Sequence, residues 1–250
     1  MNYIILGIFI LIVILLVFIR NLIHRLAFPI EFNQDISYEG NVHPDTMLVD
    51  GIGIIKVGWN HYTQDKPIIV VSHGNGHNLD KNYYHILHKL SETTGLPVIS
   101  WDYPGYGLSD GIPNQETIND QYSKLIKNLN HPIDKLILIG QSIGTGHVTW
   151  YASNHKCHCV ILITPFTSIV KIILPFSIPF IDAWNSEDCI SKIQSPVLIF
   201  GALYDNVIPF EHSKILSDNC KNCKFIVKKT GHNDIDWNYD VNDFIKSVKL

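Results

Sequence analysis

Short apolar runs recur along the chain, separated by longer segments whose apolar residues follow a helical period. The runs are rich in branched aliphatic residues, which is typical of strands buried on both faces. The predicted strands are residues 67–72, 97–101, 136–139, 159–164, 195–200 and 224–229, preceded by an edge hairpin at 47–59. The predicted helices are residues 80–94, 115–129 and 234–248. Strands that alternate with helices predict an α/β domain whose mainly parallel sheet is covered on both faces.

The most apolar stretch of the chain lies at its start. Residues 3–19 contain no charge and no proline. As a helix they would extend about 25 Å, and Leu22 and Ile23 would lengthen the span if the Arg20 side chain snorkels to the interface. A cleaved signal peptide is the alternative, but it needs a basic start and small residues before the cleavage site, and both are missing. We therefore expect an uncleaved transmembrane helix.

The charges around this helix predict its orientation. Arg20 and Arg25 follow the apolar run, and nothing basic except the amino terminus precedes it. The positive-inside rule then predicts a single-pass membrane protein whose catalytic domain lies in the cytosol. An odd number of cysteines, five, and the absence of an Asn-x-Ser/Thr sequon agree with that compartment. We divide the chain into an anchor at 1–25, a linker and first strand at 26–46, and the α/β domain at 47–250.

Composition limits the kinds of partner and cofactor. A formal net charge of −4 and a pI near 6.3 argue against a nucleic-acid surface. Two cysteine pairs, Cys157 with Cys159 and Cys220 with Cys223, have spacings found in zinc or redox sites. Each pair comes just before a predicted strand, at the end of the sheet opposite the expected chemistry. We interpret them as reduced, half-buried thiols and expect no metal and no cofactor.

Residues 140–144, Gly-Gln-Ser-Ile-Gly, carry the first indication of chemistry. They follow a predicted buried strand and precede a predicted helix, which is the context of a G-x-S-x-G nucleophile elbow. Glycines on both sides of Ser142 remove the Cβ atoms that would block its attack, and the backbone N–H of Ile143 would face the developing oxyanion. The alternatives are an ordinary glycine-rich turn and a dinucleotide phosphate loop, for which a third glycine is missing.

The predicted strand ends bring further polar residues to the same edge of the sheet, where parallel sheets collect their chemistry. Asp205 and His232 each follow a predicted strand, and the chain order Ser–Asp–His is typical of α/β-hydrolases. Ser142 would then be the nucleophile, His232 the general base and Asp205 the residue that orients the imidazole. Asp234 and Asp236 are rival acids, but we expect them to begin the last helix.

The loop after another strand completes the candidate site. It reads His73-Gly74-Asn75, and a backbone N–H of Gly74 or Asn75 would be the second oxyanion donor. His73 and His77 have the spacing of a metal pair, but they lack the acidic residue and the helical context of H-E-x-x-H.

Five motifs together resemble a known family. In chain order they are His-Gly-Asn at 73–75, Asp-Tyr-Pro-Gly-Tyr-Gly at 102–107, the elbow at 140–144, Ser-Pro-Val-Leu at 195–198 and Gly-His-Asn-Asp-Ile at 231–235. They are similar to the α/β-hydrolase-domain serine hydrolases, especially the membrane-associated palmitoyl-protein thioesterase branch. The resemblance covers roughly residue 68 to the C-terminus and implies the α/β-hydrolase fold, with Ser142, Asp205 and His232 at the catalytic positions.

The chain departs from that family at two places. The acid loop of the family reads Gly-x-x-Asp, whereas Gly201 is separated from Asp205 by three residues. Members of the thioesterase branch associate with membranes through an N-terminal cysteine cluster, and this chain has an apolar N-terminal helix instead. The first departure bears on the assignment of Asp205 and the second on the depalmitoylase activity.

The segment at 167–185 is the expected cap over the site. It is strongly apolar and includes Ile173, Leu174 and Phe176, and such a short segment cannot bury all of its apolar residues. A strongly apolar cap on a membrane-anchored enzyme predicts an acyl ester or thioester as substrate, in a lipidated protein or a lipid. The alternatives are a lipase or esterase, a peptidase, and a non-catalytic membrane-tethered binding protein.

Overall fold

The computed structural model describes residues 2–28, 43–178 and 181–248. Within these residues eight strands form one sheet: β1 (Met47–Val49), β2 (Ile52–Val57), β3 (Ile68–Ser72), β4 (Val98–Trp101), β5 (Leu136–Gln141), β6 (Cys159–Ile163), β7 (Val197–Ala202) and β8 (Cys223–Lys228). Their order in the sheet is β1-β2-β4-β3-β5-β6-β7-β8. Strands β3 to β8 pair in parallel, while β2 pairs antiparallel with β4 and β1 antiparallel with β2.

Helices cover both faces of this sheet and bury two separate apolar clusters. The helices are α1 (Asn2–Ala27), α2 (Lys81–Thr94), α3 (Gln115–Asn128), α4 (Gly144–Asn154), α5 (Ser186–Ile190), α6 (Phe210–Asn219) and α7 (Asn238–Ser247). Residues of α2 and α7 pack on one face of the sheet, and residues of α3, α4, α5 and α6 pack on the other. The predicted α/β class, with a mainly parallel and doubly covered sheet, is confirmed.

The last helix begins later than the sequence predicts. We expected Asp234 and Asp236 to be its first acidic residues, but α7 starts at Asn238. Ile235 and Trp237 are both buried in the core, whereas Asp234 and Asp236 are exposed. The packing of Ile235 and Trp237 against the core therefore holds this segment outside the helix, which starts one residue after Trp237.

The N-terminal helix α1 continues without interruption through Arg20. Its candidate membrane span is Tyr3–Ile23, which is long and apolar enough to cross a bilayer and has no buried residues. At 1.5 Å per residue this span measures about 31 Å, close to the thickness of the hydrocarbon core. Most of the predicted linker, residues 29–42, lies outside the described residues, and the chain resumes in the domain at His43.

The predicted cap is short and mostly irregular. It connects β6 to α5 and contains one turn of 3-10 helix, Val170–Ile172. Part of it packs on the body, since Ile169 and Val170 are buried, whereas Ile173 is 62% exposed and Phe176 56% exposed. Residues 179 and 180 of the predicted cap lie outside the described residues.

Candidate active site

Ser142 lies at the tight turn between β5 and α4. Its φ is +52°, a left-handed conformation that costs energy in a residue other than glycine and often marks functional positions. The turn depends on the glycines two residues before and two residues after Ser142. A Cβ on Gly140 would lie 2.6 Å from the Gly144 carbonyl oxygen, and a Cβ on Gly144 would collide with the Ser72 carbonyl oxygen. The backbone N–H of Ser142 donates to the Ile163 carbonyl at 2.9 Å, which ties the turn to β6.

The structure brings the three predicted catalytic residues together. Ser142 Oγ lies 2.9 Å from His232 Nε2, and His232 Nδ1 lies 2.6 Å from Asp205 Oδ2. Both His232 and the Asp205 carboxylate are largely buried, at 7% and 2% side-chain exposure. This arrangement can move a proton from a serine hydroxyl to an imidazole whose orientation is fixed by a carboxylate.

Asp205 occupies this position in spite of the extra residue in its loop. Leu203 and Tyr204 form an exposed turn after β7, and the chain then returns the carboxylate towards His232. Its second oxygen, Oδ1, accepts hydrogen bonds of 2.8 Å from the backbone N–H groups of Val207 and Ile208. Burial by itself would raise the pKa of Asp205, but the hydrogen bonds from His232 and the two N–H groups outweigh it and lower the pKa.

The rival carboxylates have other partners or face solvent. Asp236 lies 3.7 Å from Lys89 on the surface. Asp182, a further carboxylate that lies in the cap, accepts hydrogen bonds from the hydroxyl of Ser168 and the backbone N–H of Val170, and so it organises the cap. Asp234 is exposed.

The predicted oxyanion residues also lie beside the elbow. Ile143 is the residue immediately before α4, and the loop of Gly74 and Asn75 lies against Ser142, since a Cβ on Gly74 would be 3.6 Å from the Ser142 Cβ. His73 holds this loop, because its Nδ1 lies 2.8 Å from the Gly74 carbonyl oxygen.

The side chain of Asn75 is engaged in a way that the sequence does not predict. Its Nδ2 donates to the Ala27 carbonyl at the end of α1, at 2.7 Å, and its Oδ1 accepts from the Tyr106 hydroxyl at 2.6 Å. Tyr106 belongs to the 102–107 motif, which sequence analysis used only as a family marker. The motif therefore holds the loop that carries the candidate oxyanion donors.

Several buried polar side chains lie close to the end of β3, next to the loop that begins at His73. His147 Nε2 lies 2.8 Å from Ser72 Oγ, which also accepts a hydrogen bond from Trp101 Nε1. Complete burial, with a smaller contribution from His73, lowers the pKa of His147 to about 3, so this imidazole is neutral at physiological pH. Beside it, His73 and Asp102 are both fully buried, and His73 Nε2 lies 3.6 Å from Asp102 Oδ1. His73 is therefore packed inside the domain.

An apolar cavity of about 180 Å³ opens beside Ser142. Of the three predicted cap residues, Ile173 lines it, and Leu174 and Phe176 do not. Its other lining residues come from the end of α1, the oxyanion loop, the elbow, the cap and the loop after Asp205: Ile23, Ala27, Asn75, Ile143, Phe166, Ile169, Ile172, Val207 and Ile208. Sequence analysis missed Ile23, Ala27, Phe166, Val207 and Ile208, because no motif marks a residue that reaches the site only through tertiary packing.

The cysteines lie away from this cavity. All five are free thiols, and no cluster of three or more metal-ligating side chains occurs among the described residues. Cys220 and Cys223 are half-buried, as expected, but Cys157 and Cys159 are fully buried because they flank and begin the central strand β6. Burial raises the pKa of Cys157 to about 11, so its thiol is protonated at neutral pH.

Comparison with known proteins agrees with this geometry. The family model of the alpha/beta hydrolase fold matches residues 67–176. A protein of Acanthamoeba polyphaga mimivirus named as an alpha/beta hydrolase is 33% identical to this chain. The match covers 74% of this chain and 74% of the viral protein. Alpha/beta hydrolase domain-containing protein 17C is 32% identical in mouse and in human over 67% of this chain. The match spans only 55% of the mouse protein and 53% of the human protein.

Solved structures share the fold at low sequence identity. A monoacylglycerol lipase of Paleococcus ferrophilus superposes with a TM-score of 0.59 at 18% identity, over 79% of this chain and 99% of its own. The esterase Est1E of Butyrivibrio proteoclasticus, solved with ferulic acid, superposes with a TM-score of 0.61 at 20% identity, over 79% and 94%.

Proposed function

Because the chain belongs to the α/β-hydrolase family, whose members are hydrolytic enzymes, we propose that it is a membrane-anchored serine hydrolase that removes acyl groups from thioesters or esters. Lipidated proteins are the proposed substrates, which makes the enzyme a protein depalmitoylase. The observation that carries this proposal is the contact of Ser142 Oγ with His232 Nε2, 2.9 Å apart, at the wall of an apolar cavity.

The proposed mechanism follows from the positions of these groups. Ser142 Oγ attacks the acyl carbonyl carbon while its proton passes to His232 Nε2. Asp205 stabilises the imidazolium that forms, and the N–H of Ile143 with that of Gly74 or Asn75 stabilises the oxyanion. His232 then returns the proton to the departing thiolate or alkoxide, which leaves an acyl-serine. Water, activated by the same imidazole, hydrolyses the acyl-serine and releases the fatty acid.

Several observations favour an acyl substrate over a peptide. The cavity beside Ser142 is lined by apolar side chains, apart from Ser142 itself and Asn75. Among the described residues that line it none is acidic, and an acidic group is what a peptidase would use to bind a free amino terminus. The relatives named protein 17C and the five motifs favour the thioesterase branch. The apolar helix α1 would serve the membrane association for which that branch uses cysteines.

The test compares thioesters with esters on the full-length protein. Wild type and Ser142→Ala, purified in the same detergent, are given a palmitoyl-thioester peptide, the matching palmitoyl oxyester and an unacylated peptide. We expect wild type to release palmitate from the thioester, and Ser142→Ala to lose this activity by roughly three orders of magnitude or more. Full turnover by Ser142→Ala would refute the serine mechanism. Cleavage of the oxyester alone would leave the lipase or esterase alternative, and cleavage of the unacylated peptide would favour a peptidase.

A further inference from the structure

The end of the membrane helix is part of the cavity wall. Ile23 is the last residue of the candidate membrane span, and it lines the same cavity as Ser142, as does Ala27 one turn later. If residues 3–23 span the bilayer, the helix emerges from the bilayer at the point where it meets the candidate active site. An anchor that only tethered the domain would have no such contact.

Two contacts hold this end of the helix against the domain. Asn75 Nδ2 donates to the Ala27 carbonyl at 2.7 Å. Phe28 is buried and its ring packs edge-on against Trp184, with ring centroids 6.1 Å apart. Trp184 is itself fixed, because its backbone N–H donates to the side chain of Gln115 at 2.7 Å. By contrast, every apolar side chain that the structure describes from Tyr3 to Phe18 is exposed, by 41% or more, so only the last turns of the helix touch the domain.

The size of the cavity indicates how much of a substrate it holds. At about 180 Å³ it is similar to an engineered apolar cavity of about 150 Å³ that binds benzene. The first few carbons of an acyl chain would fill it. The remainder of a palmitoyl chain must extend past Ile23 or past the exposed side chain of Ile173, both of which are apolar.

We propose that Ile23 and Ala27 are specificity-determining residues, and that the acyl chain of a membrane-inserted ester or thioester reaches Ser142 along the last turns of α1. This inference rests on the proposed acyl hydrolase function. In this arrangement the distal part of the chain stays in the bilayer beside α1, while the proximal carbons fill the cavity. Only the short part of the chain that enters the cavity must leave the lipid, which limits the cost of extracting apolar methylenes.

Two substitutions of Ile23 that change the cavity volume in opposite directions test its role in the cavity wall. Ile23→Trp should fill the cavity and lower the ratio of octanoyl to acetyl ester hydrolysis, in kcat/KM, by roughly tenfold, the effect of losing one or two methylene sites. Ile23→Ala should enlarge the cavity and shift the preferred acyl chain to greater length. Leu22→Trp is the matched control, because Leu22 is the adjacent residue, is exposed and does not line the cavity. We expect it to leave the chain-length profile unchanged.

Equal losses on both esters for the two Ile23 variants would overturn the inference, since a purely structural residue has no reason to discriminate chain length. A change of profile in Leu22→Trp similar to that in Ile23→Trp would also overturn it, because the effect would then belong to the helix as a whole.

A cross-linking experiment locates the path of the acyl chain directly. An alkyl fluorophosphonate with a diazirine at its sixth carbon is attached to Ser142 of the full-length protein in lipid nanodiscs, and is then irradiated. Arg20 and Arg25 flank Ile23, so trypsin releases Ile23 in the peptide of residues 21–25. We expect adducts on this peptide or on Ala27. Labelled Ser142 with adducts confined to other segments overturns this inference alone, whereas a protein that no fluorophosphonate labels overturns the proposed function and the inference with it.

Discussion

Asn75 Nδ2 donates a hydrogen bond of 2.7 Å to the backbone carbonyl of Ala27, so one side chain joins the candidate oxyanion loop to the end of α1. The same side chain accepts from the Tyr106 hydroxyl at 2.6 Å. The position of the loop therefore depends on two elements, the helix that precedes the domain and the motif after β4.

The first prediction tests this arrangement with a double-mutant cycle. Asn75→Ala and Tyr106→Phe should each lower kcat on an acetyl ester by roughly tenfold, because both release the loop from its catalytic position. If the two act through one contact chain, the double variant should be no slower than the slower single variant. Steady-state kinetics of the four proteins in one detergent measures this. Fully additive losses would show that the two side chains act independently.

The second prediction concerns Asp205, the carboxylate that we propose orients His232. Asp205→Asn should keep the fold and lower the turnover of any ester by roughly 10⁴-fold, because the amide no longer selects the imidazole tautomer that accepts the serine proton. Asp236→Asn is the control, since that carboxylate lies on the surface beside Lys89. Near wild-type turnover in Asp205→Asn, together with loss in Asp236→Asn or Asp182→Asn, would assign the role to another carboxylate.

The third prediction uses the buried imidazole of His147. Its pKa of about 3 in the folded protein lies below the value near 6.5 of an unfolded chain. Between these values the unfolded chain binds one more proton, so His147 makes the free energy of unfolding fall as the pH falls through this interval. His147→Gln keeps a polar group beside Ser72 without titrating. From pH 7 to pH 5 it should lose about 2 kcal/mol less stability than wild type.

Urea unfolding in a constant detergent measures this difference, with His61→Gln as a control at an exposed histidine. Parallel pH profiles for wild type and His147→Gln would mean that folding does not lower the pKa of His147.

The fourth prediction concerns the membrane. We expect the full-length protein to stay in the pellet after alkaline carbonate extraction, because Tyr3–Ile23 can span a bilayer. Lys224→Thr creates a glycosylation sequon at Asn222, and both positions are exposed on the domain. The positive-inside rule predicts that this sequon stays unmodified in the cell. Extraction by carbonate would contradict the anchor, and glycosylation would contradict the orientation alone.

The fifth prediction separates the cap residues. Lengthening an ester chain should raise kcat/KM by up to roughly fourfold per methylene until the cavity is full. Ile173→Asp should flatten this dependence, because Ile173 lines the cavity. Phe176→Asp is the matched control, since Phe176 is similarly exposed but does not line it. Equal rates from acetyl to palmitoyl in wild type would remove the acyl chain from the proposal.

Much of the fold follows from local patterns in the sequence. The runs at 67–72 and 136–139 correspond to β3 and β5, and α2 starts after Asp80, whose side chain caps it by accepting from the Tyr83 N–H at 2.7 Å. Such elements can be predicted from the sequence because a strand that is buried on both faces is a continuous apolar run. A helix cap can be predicted because the capping residue is next to the helix in the sequence. The late start of α7 could not be predicted from local sequence, since it depends on the tertiary packing of Ile235 and Trp237 in the core.

The candidate site was predictable to the extent that motifs carry it. Ser142 and His232 each belong to a short pattern with a fixed place at a strand end, and the structure brings both to the same edge together with Asp205. The cavity was not predictable in the same way. Ile23 and Val207 are ordinary aliphatic residues in their local sequence, and only the packing of distant segments places them beside Ser142.

The position of Ile23 also has a practical consequence for assays. If residues 3–23 span the membrane as we propose, surfactant tails would surround α1 up to the mouth of the cavity once the protein is extracted into a micelle. Single-chain surfactants whose tails are similar in length to the acyl chain of the substrate should therefore act as competitive inhibitors. They should raise the apparent KM and leave kcat unchanged. Activities measured in different surfactants would then differ for a reason unrelated to folding, and a lipid nanodisc, with its two-chain lipids, is the appropriate reference medium.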